Sequence, residues 1–197
     1  RLGLLKMDFL GLRTLTVIRD TLEMMRQLGV DMQPEDIPMD DPEVYKMISD
    51  GDTDGVFQLE SGGMRLFLQN MKPSCFEDVI AAISLYRPGP MESIPRYIAG
   101  KTDPATVHYE TPLLRPILEV TYGCMVYQEQ VMQIVRDLAG YSLGRSDLMR
   151  RAMAKKKRDV MAKEREYFID GMTDEAGNVV IDGAVRRGVP REVAEKI

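Results

Sequence analysis

Apolar residues recur at helical spacing along most of the chain, and this pattern predicts a mainly α-helical fold. The first amphipathic helix is predicted from Leu12 to Met25, with Gly29 closing it. Further helices are predicted where a capping residue precedes a periodic apolar run and a proline or glycine ends it. They are expected at about residues 42–49, 61–72, 75–87, 112–118, 128–139, 147–165 and 191–197.

Two stretches favour strands. The apolar stretch Leu2–Phe9 contains Lys6 and Asp8, which a strand would place on the same face because its side chains alternate with period two. These two residues form either a simple surface pair or, in the second interpretation, a site where Asp8 binds a metal ion. Near the other end, Gly and Asn between short apolar runs at 171–183 predict a small hairpin or loop insertion.

The segment from Ser142 to Arg165 concentrates positive charge. It contains nine basic and three acidic residues, a local net charge of +6 in a chain whose formal net charge is −5. As one helix, capped by Ser146 or Asp147, it would gather cations on one face and apolar residues on the other. Lys156 alone would fall on the apolar side, where its stem could extend to solvent or the helix could end.

Two interpretations of this basic segment remain open. A run of cations on a helix is commonly a solvated face. No acidic residue lies between Arg150 and Arg158, however, so the cations would repel one another without an anionic partner. Phosphate fits because guanidinium binds it through two hydrogen bonds and ammonium adds charge. The cations of this segment that we single out are Arg150, Arg151, Lys155, Lys156 and Lys157.

A second candidate lies where a helix must end. Pro88-Gly89-Pro90 follows Tyr86 and Arg87, and proline disfavours helical geometry in the residue before it. The phenol ring and the guanidinium are therefore expected at a sharply defined helix end, where they could contact a base or a phosphate. In the alternative interpretation, Tyr86 packs against the fold and Arg87 caps its own helix.

Composition excludes several classes of protein. The 197 residues suit one domain or a pair of small ones, and no apolar run reaches the ~20 residues of a membrane span. Two cysteines without metal-binding spacing favour a reducing cytoplasm. A single histidine and the absence of a Walker A motif argue against a histidine-based triad and a P-loop NTPase. The chain also begins without methionine inside an apolar stretch, so we expect it to be a piece of a longer protein.

Five collinear motifs carry a family resemblance. They are KMDFLGLRTLTVI (6–18), GVFQLESGGM (55–64), FEDVIAAISLYRPGPM (76–91), TYGCMVYQEQVMQI (121–134) and LAGYSLGRSDLMRRAMAKKK (138–157). On these motifs the chain resembles the C-family bacterial DNA polymerase III alpha subunits, and the YRPGPM form is more similar to the DnaE branch than to the PolC branch. The resemblance covers nearly the whole chain and fades after about residue 172; Ala154 stands where the family usually has glycine.

The resemblance implies a domain organisation and residue roles. It places residues 1–12 at the end of the palm, on the strand that carries Asp8, and residues 13–197 in the helical fingers. Asp8 matches a catalytic carboxylate that binds Mg²⁺, and Lys6 matches the lysine two residues before it. The incoming nucleotide and its phosphates would be held by Tyr86 and Arg87, by Arg150 and Arg151, and by the three lysines at 155–157.

The implied activity is that of a bacterial cytoplasmic replicative DNA polymerase. Such an enzyme adds a dNTP to a primer 3′ end on template DNA by a two-metal mechanism, with a sliding clamp and other replisome subunits as partners. Two further metal-binding aspartates would precede this stretch, so the chain alone is expected to be inactive. The rival hypothesis is a non-catalytic helical module whose basic helix docks nucleic acid or an acidic protein.

Overall fold

The computed structural model describes residues 3–4, 6–154 and 158–197. These described residues form ten α-helices and one two-stranded sheet. The prediction of a mainly α-helical fold is therefore confirmed. The chain divides into two compact units, Arg1–Phe76 and Glu77–Ile197. The expected boundary between palm and fingers at residue 12 stays a prediction.

The first unit contains α1 (Arg13–Gln27), α2 (Pro42–Asp50) and α3 (Gly62–Met71), with a 3-10 turn at Pro34–Asp36. Local signals set their ends: the Asp41 carboxylate accepts a hydrogen bond from the Glu43 amide, and proline occupies the first position of α2. Helices α2 and α3 pack together. All three predicted helices are confirmed. The apolar side chains buried in this unit are those of Ile48, Leu59, Met64, Phe67, Leu68 and Met71.

The strand expected near the N-terminus does not form in the described residues, which corrects the sequence analysis. Residues 3–4 and 6–12 have no regular secondary structure, and all of these described residues are exposed. A strand needs a neighbour to pair its backbone N–H and C=O groups, and alternation along one segment cannot supply that neighbour. The period-two pattern of this stretch therefore indicated a strand that the described part of the chain does not form.

The second unit contains the remaining helices and the sheet. None of the described helices is long and apolar enough to cross a membrane. The helices are α4 (Phe76–Leu85), α5 (Ile94–Thr102), α6 (Arg115–Leu118), α7 (Gln128–Ala139), α8 (Leu143–Ala154), α9 (Arg158–Asp170) and α10 (Arg191–Lys196). Short 3-10 turns lie at Pro90–Ser93, Pro104–Thr106, Pro112–Leu114 and Glu119–Thr121, and the strands are β1 (Met172–Thr173) and β2 (Val179–Ile181).

A buried amide fixes the start of α7. The Gln130 side chain donates to the Ile117 carbonyl at 3.1 Å and to the Thr121 hydroxyl at 2.8 Å. Its oxygen accepts from the Val126 and Tyr127 amides, each at 2.9 Å. A buried amide group is costly unless its donors and acceptors are all paired, and these four bonds satisfy the Gln130 side chain. Helix α7 therefore enters the core in one defined orientation.

The core of the second unit gathers around α7 and α9. Gly140 ends α7 with φ +78°, a left-handed conformation in which an L side chain is strained. The predicted hairpin at 171–183 is confirmed: β1 and β2 pair antiparallel, with Met172 opposite Ile181. The buried apolar cluster consists of Leu114, Ile117, Leu118, Ile134, Val135, Leu138, Ala139, Tyr141, Phe168, Ile169, Ile181, Ala184, Val189 and Ala194.

Candidate anion-binding site

The basic segment folds as two helices, α8 and α9, rather than as one. In a continuous helix, residues 19 positions apart would be about 28 Å apart along the axis. Arg145 of α8 and Glu164 of α9 instead have side chains 2.5 Å apart. The expectation of a single basic helix with one cationic face was therefore wrong: α8 ends at Ala154 and α9 begins at Arg158.

The start of α8 also differs from the sequence analysis. The helix begins at Leu143, and the Ser142 hydroxyl accepts a hydrogen bond from the Arg145 amide at 3.3 Å. Ser146, predicted as a cap, is fully buried inside the helix and donates back to the Ser142 carbonyl at 3.0 Å. Both serines could have capped the helix by residue type, and tertiary packing decides in favour of Ser142.

A buried polar network holds the helical hairpin formed by α8 and α9. The Glu164 carboxylate accepts from the Arg145 guanidinium at 2.5 Å and from the Tyr141 hydroxyl at 3.1 Å. The Arg145 guanidinium also lies over the Tyr167 ring, 5.5 Å from its centroid. Burial, and then the negative charge of Glu164, raise the pKa of Tyr141 well above its ordinary value. Tyr141 therefore stays protonated and can donate this hydrogen bond.

Arg150 and Arg151 lie together near the end of α8 and share one carboxylate. Asp147 accepts from Arg150 through Nε at 3.0 Å and Nη2 at 2.7 Å. Its other oxygen lies 2.8 Å from Arg151 Nε. The Arg150 hydrogen bond is the main cause that lowers the pKa of Asp147, and the positive charge of Arg151 adds to it. Asp147 is therefore an anion between two cations.

Gln128 adds a contact from the neighbouring helix. Its side-chain oxygen accepts from Arg150 Nη1 at 2.8 Å, which links the first residue of α7 to the end of α8. Sequence reasoning missed Asp147 and Gln128 as partners of the arginines. The signal for Asp147 was present in its spacing of three and four residues before Arg150 and Arg151. The Gln128 contact joins two helices, so local spacing could not have indicated it.

Lys155, Lys156 and Lys157 lie outside the described residues. The part of the predicted cationic face that these lysines would form therefore lies outside the described residues as well. Arg158 itself begins α9 and is exposed. The described part of the candidate site thus consists of the two arginines with their carboxylate.

Tyr86 and Arg87 lie just beyond the end of α4, as expected. Helix α4 ends at Leu85, Tyr86 is half-buried and Arg87 is exposed. The Tyr86 amide still donates to the Ala82 carbonyl at 3.0 Å, and the Arg87 carbonyl accepts from Met91 at 3.2 Å. This pair and the Arg150–Arg151 pair therefore occupy the ends of two different helices of the second unit.

Lys6 and Asp8 form an exposed ion pair in the first unit. Lys6 Nζ lies 3.5 Å from the Asp8 carboxylate, and both side chains are more than four-fifths exposed, at 87% and 86%. The described residues contain no group of three or more His, Cys, Asp or Glu that could hold a metal ion. Mg²⁺ needs near-octahedral oxygen ligands, so Asp8 and its described surroundings do not make a complete site.

Comparison with known proteins identifies relatives of this chain. The family described as the bacterial DNA polymerase III alpha subunit finger domain matches residues 14–176. The DNA polymerase III subunit alpha of Staphylococcus aureus (strain N315) is 52% identical over 172 residues, covering 87% of this chain and 16% of that protein. The protein of the same name from Staphylococcus epidermidis is 51% identical over the same shares. The chain therefore spans about a sixth of the length of these relatives.

Proposed function

Because the chain belongs to the bacterial DNA polymerase III alpha subunit finger domain family, we propose that it holds the triphosphate of the incoming dNTP. The whole protein would then add the nucleotide to a primer 3′ end on template DNA. In that reaction the primer hydroxyl attacks the innermost phosphate, and pyrophosphate leaves. The fingers contribute by positioning the triphosphate and by offsetting its negative charge.

The observation that carries this proposal is the pair of guanidiniums at the end of α8. Arg150 and Arg151 are adjacent in sequence and share one carboxylate, so the three groups together keep a net positive charge. Guanidinium recognises phosphate through paired, charge-assisted hydrogen bonds. Lys155, Lys156 and Lys157, which follow directly in sequence, would extend the positive field towards phosphate or the template backbone. Tyr86 and Arg87 would complete the nucleotide site.

Asp8 is proposed as one Mg²⁺ ligand of the whole enzyme, with Lys6 beside it. Its exposed position leaves it available to such a site, and the family resemblance assigns two more aspartates to the part of the protein that precedes residue 1. Mg²⁺ would offset the charge that develops on the phosphates. The isolated chain is expected to extend no primer. Primer extension by this chain, undiminished by Asp8→Ala, would contradict the role of Asp8.

The partners proposed for the whole protein follow from the same activity. They are template–primer DNA, a dNTP, and replisome subunits that include a sliding clamp. The bacterial cytoplasm is the proposed location, since both cysteines, Cys75 and Cys124, are free thiols and a reducing compartment suits them.

Nucleotide binding by the chain tests the proposal. We expect calorimetric titration with a dNTP to show binding that Arg150→Ala or Arg151→Ala weakens by about tenfold or more, because a hydrogen bond between charged groups contributes about 1.5–3 kcal/mol. Arg115→Ala is the matched control, since Arg115 is an exposed arginine paired with Glu119 on another helix. Triphosphate affinity that neither substitution changes would contradict the proposal. It would favour the rival hypothesis of a non-catalytic module whose basic helix docks nucleic acid or an acidic protein.

A further inference from the structure

The two oxygens of Asp147 are divided between the two arginines. Oδ1 accepts from Arg150 through Nε at 3.0 Å and Nη2 at 2.7 Å, whereas Oδ2 lies 2.8 Å from Arg151 Nε. Asp147 therefore contacts the Nε atom of each guanidinium, at the end nearer the backbone. Such contacts restrict the rotation of both side chains without covering the outer Nη atoms of Arg151.

The two arginines are supported unequally. A guanidinium has five N–H groups. Arg150 uses one on Nε and one on Nη2 for Asp147, and one on Nη1 for Gln128. Its side chain is 27% exposed, whereas that of Arg151 is 63% exposed. Arg150 is thus held by contacts from two helices. Arg151 contacts the same carboxylate through Nε, and its outer nitrogens extend into solvent.

We infer that Asp147 is a positioning residue, which holds Arg150 and Arg151 in the orientation that receives the triphosphate. Gln128 supports Arg150 in the same way from α7. Arg151 is then the guanidinium more available to phosphate, and Arg150 is the more rigid of the two. This inference rests on the proposed function, because it concerns the arginines that bind the triphosphate there.

Positioning and simple electrostatics predict opposite results when Asp147 is removed. Loss of a carboxylate makes the site more positive, so charge alone predicts tighter binding of a triphosphate. Loss of the hydrogen bonds releases two long side chains, and each must then be immobilised again when phosphate binds. If Asp147 positions the arginines, its removal weakens binding. If it competes with phosphate for them, its removal strengthens binding.

The first measurement follows the arginines directly and needs no ligand. In the ¹⁵N NMR spectrum of the chain, we expect the Nε–H groups of Arg150 and Arg151 to exchange slowly with water, and Asp147→Ala to accelerate both. Asp147→Asn keeps one oxygen, which can still accept from Arg150, so we expect it to accelerate mainly Arg151. Unchanged exchange in Asp147→Ala would overturn the positioning role.

A matched control exists on α7. Asp137 accepts from Arg136 Nε at 2.7 Å, so Asp137→Ala removes an arginine–carboxylate pair at a different place on the surface. It should accelerate exchange at Arg136 and leave Arg150 and Arg151 unchanged. Far-UV circular dichroism of each variant checks that the helices are intact, and Asp147→Asn replaces Asp147→Ala if the latter does not fold.

The second measurement is calorimetric titration with a dNTP and with inorganic tripolyphosphate. We expect Asp147→Ala to weaken binding of both by about two- to tenfold for each guanidinium released. Binding as tight as, or tighter than, that of the unaltered chain would overturn the inference while leaving the proposed function intact. Absence of triphosphate binding by the unaltered chain would instead overturn the proposed function, and with it the phosphate role of these arginines.

Discussion

Removing the Glu164 carboxylate is expected to destabilise the α8–α9 hairpin. Glu164 is buried, and its carboxylate accepts from Arg145 at 2.5 Å and from Tyr141 at 3.1 Å. Breaking a buried ion pair by removing one partner costs about 3–5 kcal/mol, because the other charge is left unpaired. The Arg145 side chain is 28% exposed, so water can partly solvate its charge after Glu164 is replaced.

We therefore expect Glu164→Ala to lower the free energy of unfolding by about 2–3 kcal/mol, somewhat less than for a fully buried pair. Urea unfolding of the chain, followed by far-UV circular dichroism, measures this change. Glu166→Ala is the control, because Glu166 is exposed on the same helix. Its effect should stay within about 0.5 kcal/mol.

A double-mutant cycle with Arg145→Ala isolates the ion pair from other losses. If the pair holds the hairpin, the two substitutions together should cost clearly less than the sum of their separate effects. A coupling energy below about 0.5 kcal/mol is typical of an exposed pair. That result would refute the argument that burial makes this ion pair strong.

Three further predictions concern the second unit. Leu138→Ala should lower the free energy of unfolding by about 2–5 kcal/mol in urea titration, because Leu138 is buried in the core. Gly140→Ala should destabilise the chain by more than about 1 kcal/mol, since φ is +78° and the new Cβ would lie 2.6 Å from the Asp182 carboxylate. Gly144→Ala is the control and should not destabilise the chain, because a Cβ there would meet nothing within 4 Å beyond its own stretch of helix. The pKa of Tyr141 is raised in the folded chain, so the unfolded chain loses this proton first as pH rises. Above about pH 10 the free energy of unfolding should therefore fall, by at most about 1.4 kcal/mol per pH unit. The fall should be smaller in Tyr141→Phe, which has no proton to lose.

The helices that local signals define were predictable from sequence. Helix α2 begins where Asp41 and Pro42 predict, and α7 ends at Gly140, whose left-handed φ suits a glycine. The prediction of a strand around Asp8 was wrong, because no comparable local signal decides whether a strand forms. Its period-two pattern is local, whereas strand pairing depends on a partner elsewhere in the chain.

The candidate site was only partly predictable. The clustered cations, including Arg150 and Arg151, were visible in the sequence. Their spacing of three and four residues from Asp147 could also have predicted the two ion pairs. The ion pair between Arg145 and Glu164 joins residues 19 positions apart, and helical periodicity, which is local, could not indicate it; the sequence therefore predicted one helix where the structure has α8 and α9. Tertiary contacts of this kind decide where a basic helix ends and which of its cations already have partners.

Mapping the dNTP site by NMR tests the central claim most directly. In ¹H–¹⁵N spectra of the chain titrated with a dNTP, we predict that the largest amide shifts fall in α8, near Arg150 and Arg151, and that inorganic tripolyphosphate reproduces them. This result would locate triphosphate binding on the α8–α9 hairpin without any substitution. Saturating dNTP that leaves the α8 amides unshifted would contradict the proposal that this chain holds the incoming nucleotide.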